Sequence, residues 1–511
     1  MTARRAPAGG SELSVELQKL IKPRPFRLAG FSFRHIASIG AVSSLPVHFA
    51  EGTTGDMAIV SLKHLRAFIA FVLALTLTTQ PVMAQSILRD AETEAFFEEI
   101  SEPLIRAAGL DPANVDIVLI NNSSINAFVA GGQVVYLHSG LIDAAKSANE
   151  VQGVIAHELG HIEGGHVIRF SEGVSAASGL SIASLILAAA AIAAGAGEAG
   201  MGILAAGQQA ALGKFLAFSR AQEGTADASG ARYLAAAGIT GKGSINFFKT
   251  LQNYEFRLGI PQEDSYGRTH PLSGERISVL EDTYSADPAW EKPLNQKWET
   301  DFKRIKAKLT GFLSDPNDTM RDYPETDKSI PARYARAYAW HKGAYPQKAL
   351  EESSALVASA PDDPYFLELH GQILLESGKP VDAVLPLRKA VELTGNQPLI
   401  AAIFGHALVA TEDKANLDEA ATVLKAAVTK DNQNPFAWYQ LGVVYAQKGD
   451  TARAALASAE RYLMEGAPQF ALPNAQTAMA GLTEYTPDWI RAQDINMVAE
   501  AQLARLNKRR R

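Results

Sequence analysis

The sequence predicts a mainly α protein with a small β-sheet, of α+β class, whose second half is an α-solenoid. Apolar residues recur at helical spacing over most of the chain, while β-like runs are short and fall at "VDIVLI" (115–120) and "QVVYLHSG" (133–140). Beyond residue 330, glycines, alanines and prolines recur at a 34-residue period. With 511 residues, 47% of them hydrophobic and 20% charged, the chain can build several packed domains. It has no cysteine, which excludes thiolate zinc fingers, disulfide frameworks and a cysteine nucleophile. A formal charge of -7 without a basic stripe excludes nucleic acid as a partner, and "NKRRR" (507–511) reads as a solvated tail.

Residues 57–84 read as a secretory signal peptide. Lys63 and Arg66 precede an apolar run from Ala67 to Leu77, and Val82-Met83-Ala84 sets small residues where a signal peptidase cuts. The run is about half of the ~20 residues that a membrane span needs. Residues 1–56 are then expected to be a mis-annotated extension, with Met57 as initiator. Segment 1–84 carries nine Lys+Arg and four Asp+Glu, a balance of +5, so its removal takes the chain from -7 to -12. An acidic, cysteine-free, exported chain points to the periplasm.

Residues 85–300 are expected to form one domain. A helix covers 89–109, and the β-like runs and a histidine-bearing helix follow. The Ala-, Gly- and Ser-rich segment 173–213 reads as an apolar helical hairpin, and further helices run to "ADPAWEKPLNQKW". The charged stretch 301–329 reads as a linker, and 330–505 as the repeat domain. Gly371 and Gly405 lie 34 residues apart, as do Ala420 and Ala454. Gly-to-Ala gaps of 12, 15 and 12 place a three-residue insertion in "TEDKANLDEA". Pro364, Pro398 and Pro435 open the blocks at helix starts, and one period back from Ala383 lies Ala349. Such a helix–turn–helix unit, with small residues at its close-packing positions, resembles the tetratricopeptide repeat. Such repeats stack into a solenoid whose concave face takes peptides or proteins.

Three histidines and two glutamates fall within residues 157–166 of "GVIAHELGHIEGGH". On a helix, His157 and His161 lie one turn apart on one face, so both imidazoles can reach one ion. Glu158, rotated by ~100°, can sit beside an activated water. Two imidazoles, a carboxylate and an open fourth position suit a single zinc, with Glu158 as the base. His166 is roughly 900° from His157, half a turn off the ligand face, and reads as a structural residue at the helix end. The third ligand is expected to be a carboxylate on another helix. In "SRAQEGTAD" (219–227), Glu223 and Asp227 are i,i+4 partners. Glu223 can ligate, and Asp227 can accept a hydrogen bond from a ligand histidine's other nitrogen. An exposed acidic pair is the competing reading.

"HELGH" followed by "SRAQEGTAD" resembles the HExxH…ExxxD gluzincins of metallopeptidase family 48, to which HtpX-like proteases belong. The domain order resembles its periplasmic BepA-type members, in which a zincin-type metalloprotease domain precedes tetratricopeptide repeats. The resemblance implies that His157, His161 and Glu223 bind zinc, that Glu158 is the catalytic base, and that Asp227 orients a ligand. "NAFVAGGQVVYLHSGLI" (126–142) resembles the family's edge strand, with which an extended substrate can pair. "RTHPLSGERI" (268–277) resembles the loop that brings a further histidine, here His270, to the site. Two roles stay open for His270: it ligates zinc at rest and leaves when substrate enters, or it stays nearby and stabilises the oxyanion.

The expected function is that of a periplasmic zinc-dependent endopeptidase. The resemblance implies misfolded or stalled outer-membrane proteins as substrates and the outer-membrane assembly machinery as a partner of the repeats. A chaperone or scaffold with little proteolysis is the alternative of another class. Val174 to Gly197 is 24 residues without a charge. It reads as a hairpin that covers the cleft or touches a membrane surface, with a membrane-embedded, HtpX-like protease as the alternative.

Overall fold

The computed structural model describes residues 87–193, 197–258, 270 and 274–510. The expected extension (1–56) and signal peptide (57–84) lie outside the described residues. A four-stranded sheet, in the order β1-β2-β4-β3, is built from β1 (Ile87–Leu88), β2 (Asp116–Ile120), β3 (Ala127–Ala130) and β4 (Val134–His138). β2 and β4 run parallel, while β1 and β3 are antiparallel to their neighbours, so β3 is an edge. Alternation along β4 buries Val135 and Leu137 against the helices. Tyr136, on its other face, stacks on Phe128 of β3 at 5.0 Å.

Helix α1 (Ala91–Ala107) starts at Asp90, whose side chain accepts from the Thr93 amide, and α2 (Ser139–Ala144) follows β4. Helix α3 (Ala148–Glu163) starts at Ser147, which caps the Glu150 amide. Phe97, Ile100 and Leu104 of α1 and Val151, Ile155 and Leu159 of α3 meet Leu119, Val135 and Leu137 of the sheet in one core. Helix α4 (His166–Ala193) and the 41-residue α5 (Gly197–Ala237) pair as an antiparallel hairpin. The far half of α5 returns to pack on α3. There Gly160 allows the approach, since a Cβ on it would lie 2.7 Å from the Ala226 carbonyl oxygen. Helices α6 (Lys242–Leu258) and α7 (Gly274–Ser285) close the core through Phe247, Phe248, Ile277 and Leu280.

The stretch 301–329 is not an open tether. Helix α8 (Gln296–Leu313) buries Phe302, Ile305 and Leu309 in the first core, and α9 (Pro316–Asp322) follows it. The charges that suggest a linker occupy the other faces of an amphipathic helix, and two of them, Arg304 and Lys308, bind into the junction with the solenoid.

The solenoid consists of five helix pairs. They are α10 (Ile330–Lys342) with α11 (Pro346–Ser359), α12 (Pro364–Glu376) with α13 (Pro380–Leu393), α14 (Pro398–Ala410) with α15 (Leu417–Lys430), α16 (Pro435–Gln447) with α17 (Thr451–Met464), and α18 (Pro468–Gly481) with α19 (Pro487–Arg510). Pro364, Pro398 and Pro435 take the first helical turn behind capping side chains of Asp363, Gln397 and Asn434. The recurring glycines mark the closest crossings: a Cβ on Gly371 would meet Leu387 at 2.5 Å, and one on Gly405 would meet Leu424 at 2.4 Å. A tetratricopeptide-type array is thus joined to an α+β domain. The two are stitched by the N-terminus of α1, whose Ala91 lies in the solenoid core.

Candidate metal centre

Four side chains converge: His157 and His161 from α3, Glu223 from α5, and His270 from the segment before α7. All four are buried. His157 Nε2 is 3.1 Å from His161 Nε2 and 3.2 Å from His270 Nδ1. His270 Nδ1 is 3.1 Å from each Glu223 carboxylate oxygen, and Glu223 lies 3.4 Å from both His157 Nε2 and His161 Nε2. Four nitrogen and oxygen donors held ~2.05 Å from one tetrahedral ion stand ~3.3 Å apart. The cluster therefore has the size and donor chemistry of a single metal site, with His270 at the fourth corner.

The surrounding residues fix the ligand rings. Asp227, one turn beyond Glu223 on α5, accepts from His157 Nδ1 at 2.8 Å, which directs Nε2 into the cluster. His166 does not join the four. It opens α4 and places its Nδ1 2.9 Å from His161 Nδ1, while its Nε2 meets Thr225 at 3.2 Å. It thereby orients His161 from behind.

Arg276 of α7 is a member of the site that sequence reasoning misses. Its Nε and Nη2 donate to Asp227 at 2.7 and 2.9 Å, and its Nη1 lies 3.2 Å from Glu223. The only signal for it is its place six residues after His270 in "RTHPLSGERI".

Glu158 differs from the other acids. It is fully buried, and neither carboxylate oxygen has a hydrogen-bond partner among the described residues. Its nearest charged neighbour is His270 Nε2 at 3.5 Å. Burial raises its pKa above the usual carboxyl range, against the pull of His270 and His157. Burial also opposes charge on His157, but the hydrogen bonds to Asp227 and Glu223 prevail and raise it to about 10. His161 goes the other way, lowered to about 2 by burial and then by the neighbouring His157 and His270. Despite burial, the Glu223 carboxyl is held below its usual range by His270 and His157, and that of Asp227 by His157 and Arg276. The field that favours a proton on His157 favours a metal cation where the donors converge.

The cleft over the cluster has a volume of about 310 Å³ and is lined by Phe128 and Val129 of the edge strand β3, by Glu158, and by Val167, Phe215 and Phe218 from the base of the hairpin. An edge strand, a buried cluster of side chains able to ligate a metal and, beside it, an acid without a hydrogen-bond partner among the described residues make up the site of a metallopeptidase. Residues 91–284 match the model of Peptidase family M48.

Relatives agree. The chain is 26% identical over 294 residues to the "Putative beta-barrel assembly-enhancing protease" of Vibrio cholerae, covering 56% of this chain and 59% of that one. It is 24% identical over 391 residues to the "Beta-barrel assembly-enhancing protease" of Escherichia coli, covering 74% and 77%. To the "Metalloprotease LoiP" of Escherichia coli it is 32% identical over 179 residues, covering 34% and 64%. The chain thus spans less than two thirds of the Vibrio cholerae relative's length.

Proposed function

We propose that this chain is a zinc-dependent endopeptidase of the periplasm that cleaves misfolded or stalled outer-membrane proteins recruited by its repeat domain. The observation that carries the reading is the convergence of His157, His161 and Glu223 beside the Glu158 carboxylate, which accepts no hydrogen bond from the described residues, under the edge strand β3. The printed names of the relatives support the assembly context.

His157, His161 and Glu223 would hold one zinc, and Asp227 and His166 would keep the two imidazoles aligned. A zinc bound there polarises a carbonyl and makes water acidic enough to ionise near neutrality. The chain's own residues supply the rest. β3 aligns an extended substrate backbone, which gives breadth rather than sequence specificity. Glu158 takes the proton from water as its oxygen attacks the peptide carbonyl, then passes it to the leaving amine. A buried carboxylate with a raised pKa is suited to that two-way transfer.

His270 stands at the fourth corner at rest and vacates it when substrate enters; a segment outside the ligand helices can leave without breaking α3 or α5. The test measures cleavage of an unfolded β-rich substrate, with and without chelator, by the wild type and by His270→Ala. Chelator should abolish cleavage, and His270→Ala should raise basal cleavage and self-digestion. A His270→Ala protein with full metal content and a lowered kcat would assign His270 to oxyanion stabilisation instead.

A further inference from the structure

The hairpin of α4 and α5 stands out from the peptidase core as an apolar rod on a charged base. Its register is regular: a Cβ on Gly207 would lie 2.0 Å from that of Ser184, and one on Gly173 would lie 2.4 Å from the Phe218 ring. From 173 to 184 is 11 residues, and from 207 to 218 is also 11, so the two arms stay level. Between Val174 and Gly213 the only charged residue is Glu198, next to the turn. Residues 178–193 of α4 and 198–213 of α5 therefore form a paired stem of 16 levels, charge-free up to that glutamate. At 1.5 Å per residue the stem is ~24 Å long.

The side chains on this stem do not form one stripe. Ile182, Leu185, Ile186 and Leu187 are each more than half exposed, and so is Met201 on the other arm. At ~100° per residue the four on α4 fan over roughly 200° of its circumference. Within the 26-residue segment His166–Ala191, an 18-residue window has a mean hydropathy of 1.9 and is 11% buried. A second helix, or a second copy of the hairpin, covers a stripe ~100° wide and would leave the rest in water. Gln208 and Gln209 are the exposed polar side chains of the α5 arm, but the ~200° apolar arc of α4 is wider than one partner helix covers and calls for an apolar solvent.

The base supplies the complementary observation. Lys214 and Arg220 are exposed one and seven levels below the uncharged stem. Basic side chains at the end of an apolar stem match the headgroup layer of an anionic bilayer. The stem's ~24 Å approaches the ~25 Å apolar band of a thin bacterial membrane.

We propose that the α4–α5 hairpin inserts into a phospholipid bilayer with anionic headgroups and docks the peptidase cleft on it. Val167, Phe215 and Phe218, which line the cleft, belong to the base of this hairpin. Glu223 is nine residues beyond Lys214 on the same helix, ~14 Å along its axis. The candidate metal centre thus stands about that far above the membrane surface. Its substrates are then chain segments held at or emerging from a bilayer. This last step rests on the peptidase reading; the docking does not.

The experiment is flotation of the full chain with vesicles of zwitterionic and anionic phospholipid at 7:3, and with zwitterionic vesicles alone. Wild type should float with the mixed vesicles and remain on them after an alkaline carbonate wash. Leu185→Asp with Ile186→Asp should stay at the bottom while keeping the wild-type melting temperature and metal content. Replacing Lys214 or Arg220 by Gln should each lower partitioning ~5-fold at low salt. As a check that needs no charge in the stem, the indole fluorescence added by Leu185→Trp should be quenched by lipids brominated on the acyl chains.

Wild type left at the bottom, or no added quenching in the Leu185→Trp variant, would overturn the proposal. So would a lipid-free oligomer that the double Asp variant converts to monomer, because the occupant would then be a second copy. Cleavage of a soluble unfolded substrate without vesicles should be equal in wild type and the double variant. If neither cleaves, the peptidase reading fails and flotation still decides the docking.

Discussion

The candidate metal centre and the junction between the α+β domain and the solenoid are both buried clusters of charge, and they are built on opposite rules. At the candidate metal centre, donors crowd together. Glu158 has no hydrogen-bond partner among the described residues, and three histidines face one another within 5.0 Å between ring centres. At the junction of the α+β domain and the solenoid, the charges of α1 and α8 are matched. Lys308 lies 2.5 Å from Asp90 and 3.2 Å from Glu92. Arg304 pairs with Glu92 and, through two nitrogens, with Asp363 at 2.5 and 2.8 Å. Tyr334 donates to Glu92 at 2.6 Å. Burial opposes the charge on Lys308, yet Asp90 and the groups around it raise its pKa well above the usual value. Matched charge fixes one arrangement of two domains, whereas converging, unmatched charge waits for something the chain does not itself supply.

The sharpest way to break the contrast is to neutralise one carboxylate in each cluster. Glu158→Gln should lower kcat by about 10²–10⁴-fold and leave the metal bound. It should not destabilise the fold, because neither carboxylate oxygen accepts a hydrogen bond from the described residues. Urea unfolding that shows a loss of several kcal/mol would place Glu158 among the structural groups. Glu92→Gln should do the reverse: it weakens the pairing of Arg304, Lys308 and Tyr334 and should cost ~3–5 kcal/mol. The folded fraction should keep its metal and its rate, and a rate defect with normal stability would merge the two clusters into one functional unit.

A smaller effect should follow at the edge of the metal cluster. Asp227→Asn keeps the shape but weakens the hold on His157 and Arg276, and metal affinity should drop about 10–100-fold in a competition titration. Unchanged affinity would mean that Arg276 and the packing of α3 orient His157 without it.

The smallest effect concerns Glu368 of α12, buried beside the junction. Burial raises its pKa to about 8, against the pull of Lys308. A carboxyl raised on folding binds a proton that the unfolded chain releases. Its contribution to stability is therefore complete below pH ~4.5 and declines as pH rises toward 8. Glu368→Gln should raise the Tm at pH 8, by a free energy of order ~2 kcal/mol, and change little at pH 5. Equal shifts at both pH values would mean that Glu368 stays charged in the fold.

The histidine helix, the paired acids on a second helix and the 34-residue period were legible because each is a local or periodic signal. An i,i+4 pair needs only one helix to bring its members to one face, and a repeat announces itself by recurrence. The linker reading of 301–329 failed for a related reason. Composition reports the charges of α8, but whether Arg304 and Lys308 are solvated or bound depends on Glu92, more than 200 positions away.

What the sequence by itself determined is therefore the inventory: a zinc-type motif, its acidic complement, a small sheet, an apolar hairpin and a solenoid. The tertiary structure decided how they meet. It set His270 at the fourth corner, 113 residues from His157, put His166 behind His161, and brought Arg276 to the acids of α5. It also left Ile182, Leu185, Ile186 and Leu187 of the hairpin exposed. Backbone hydrogen bonding and side-chain periodicity act over a few residues and can be read in one dimension, whereas a metal corner or a matched buried charge exists only once distant segments share one packed core.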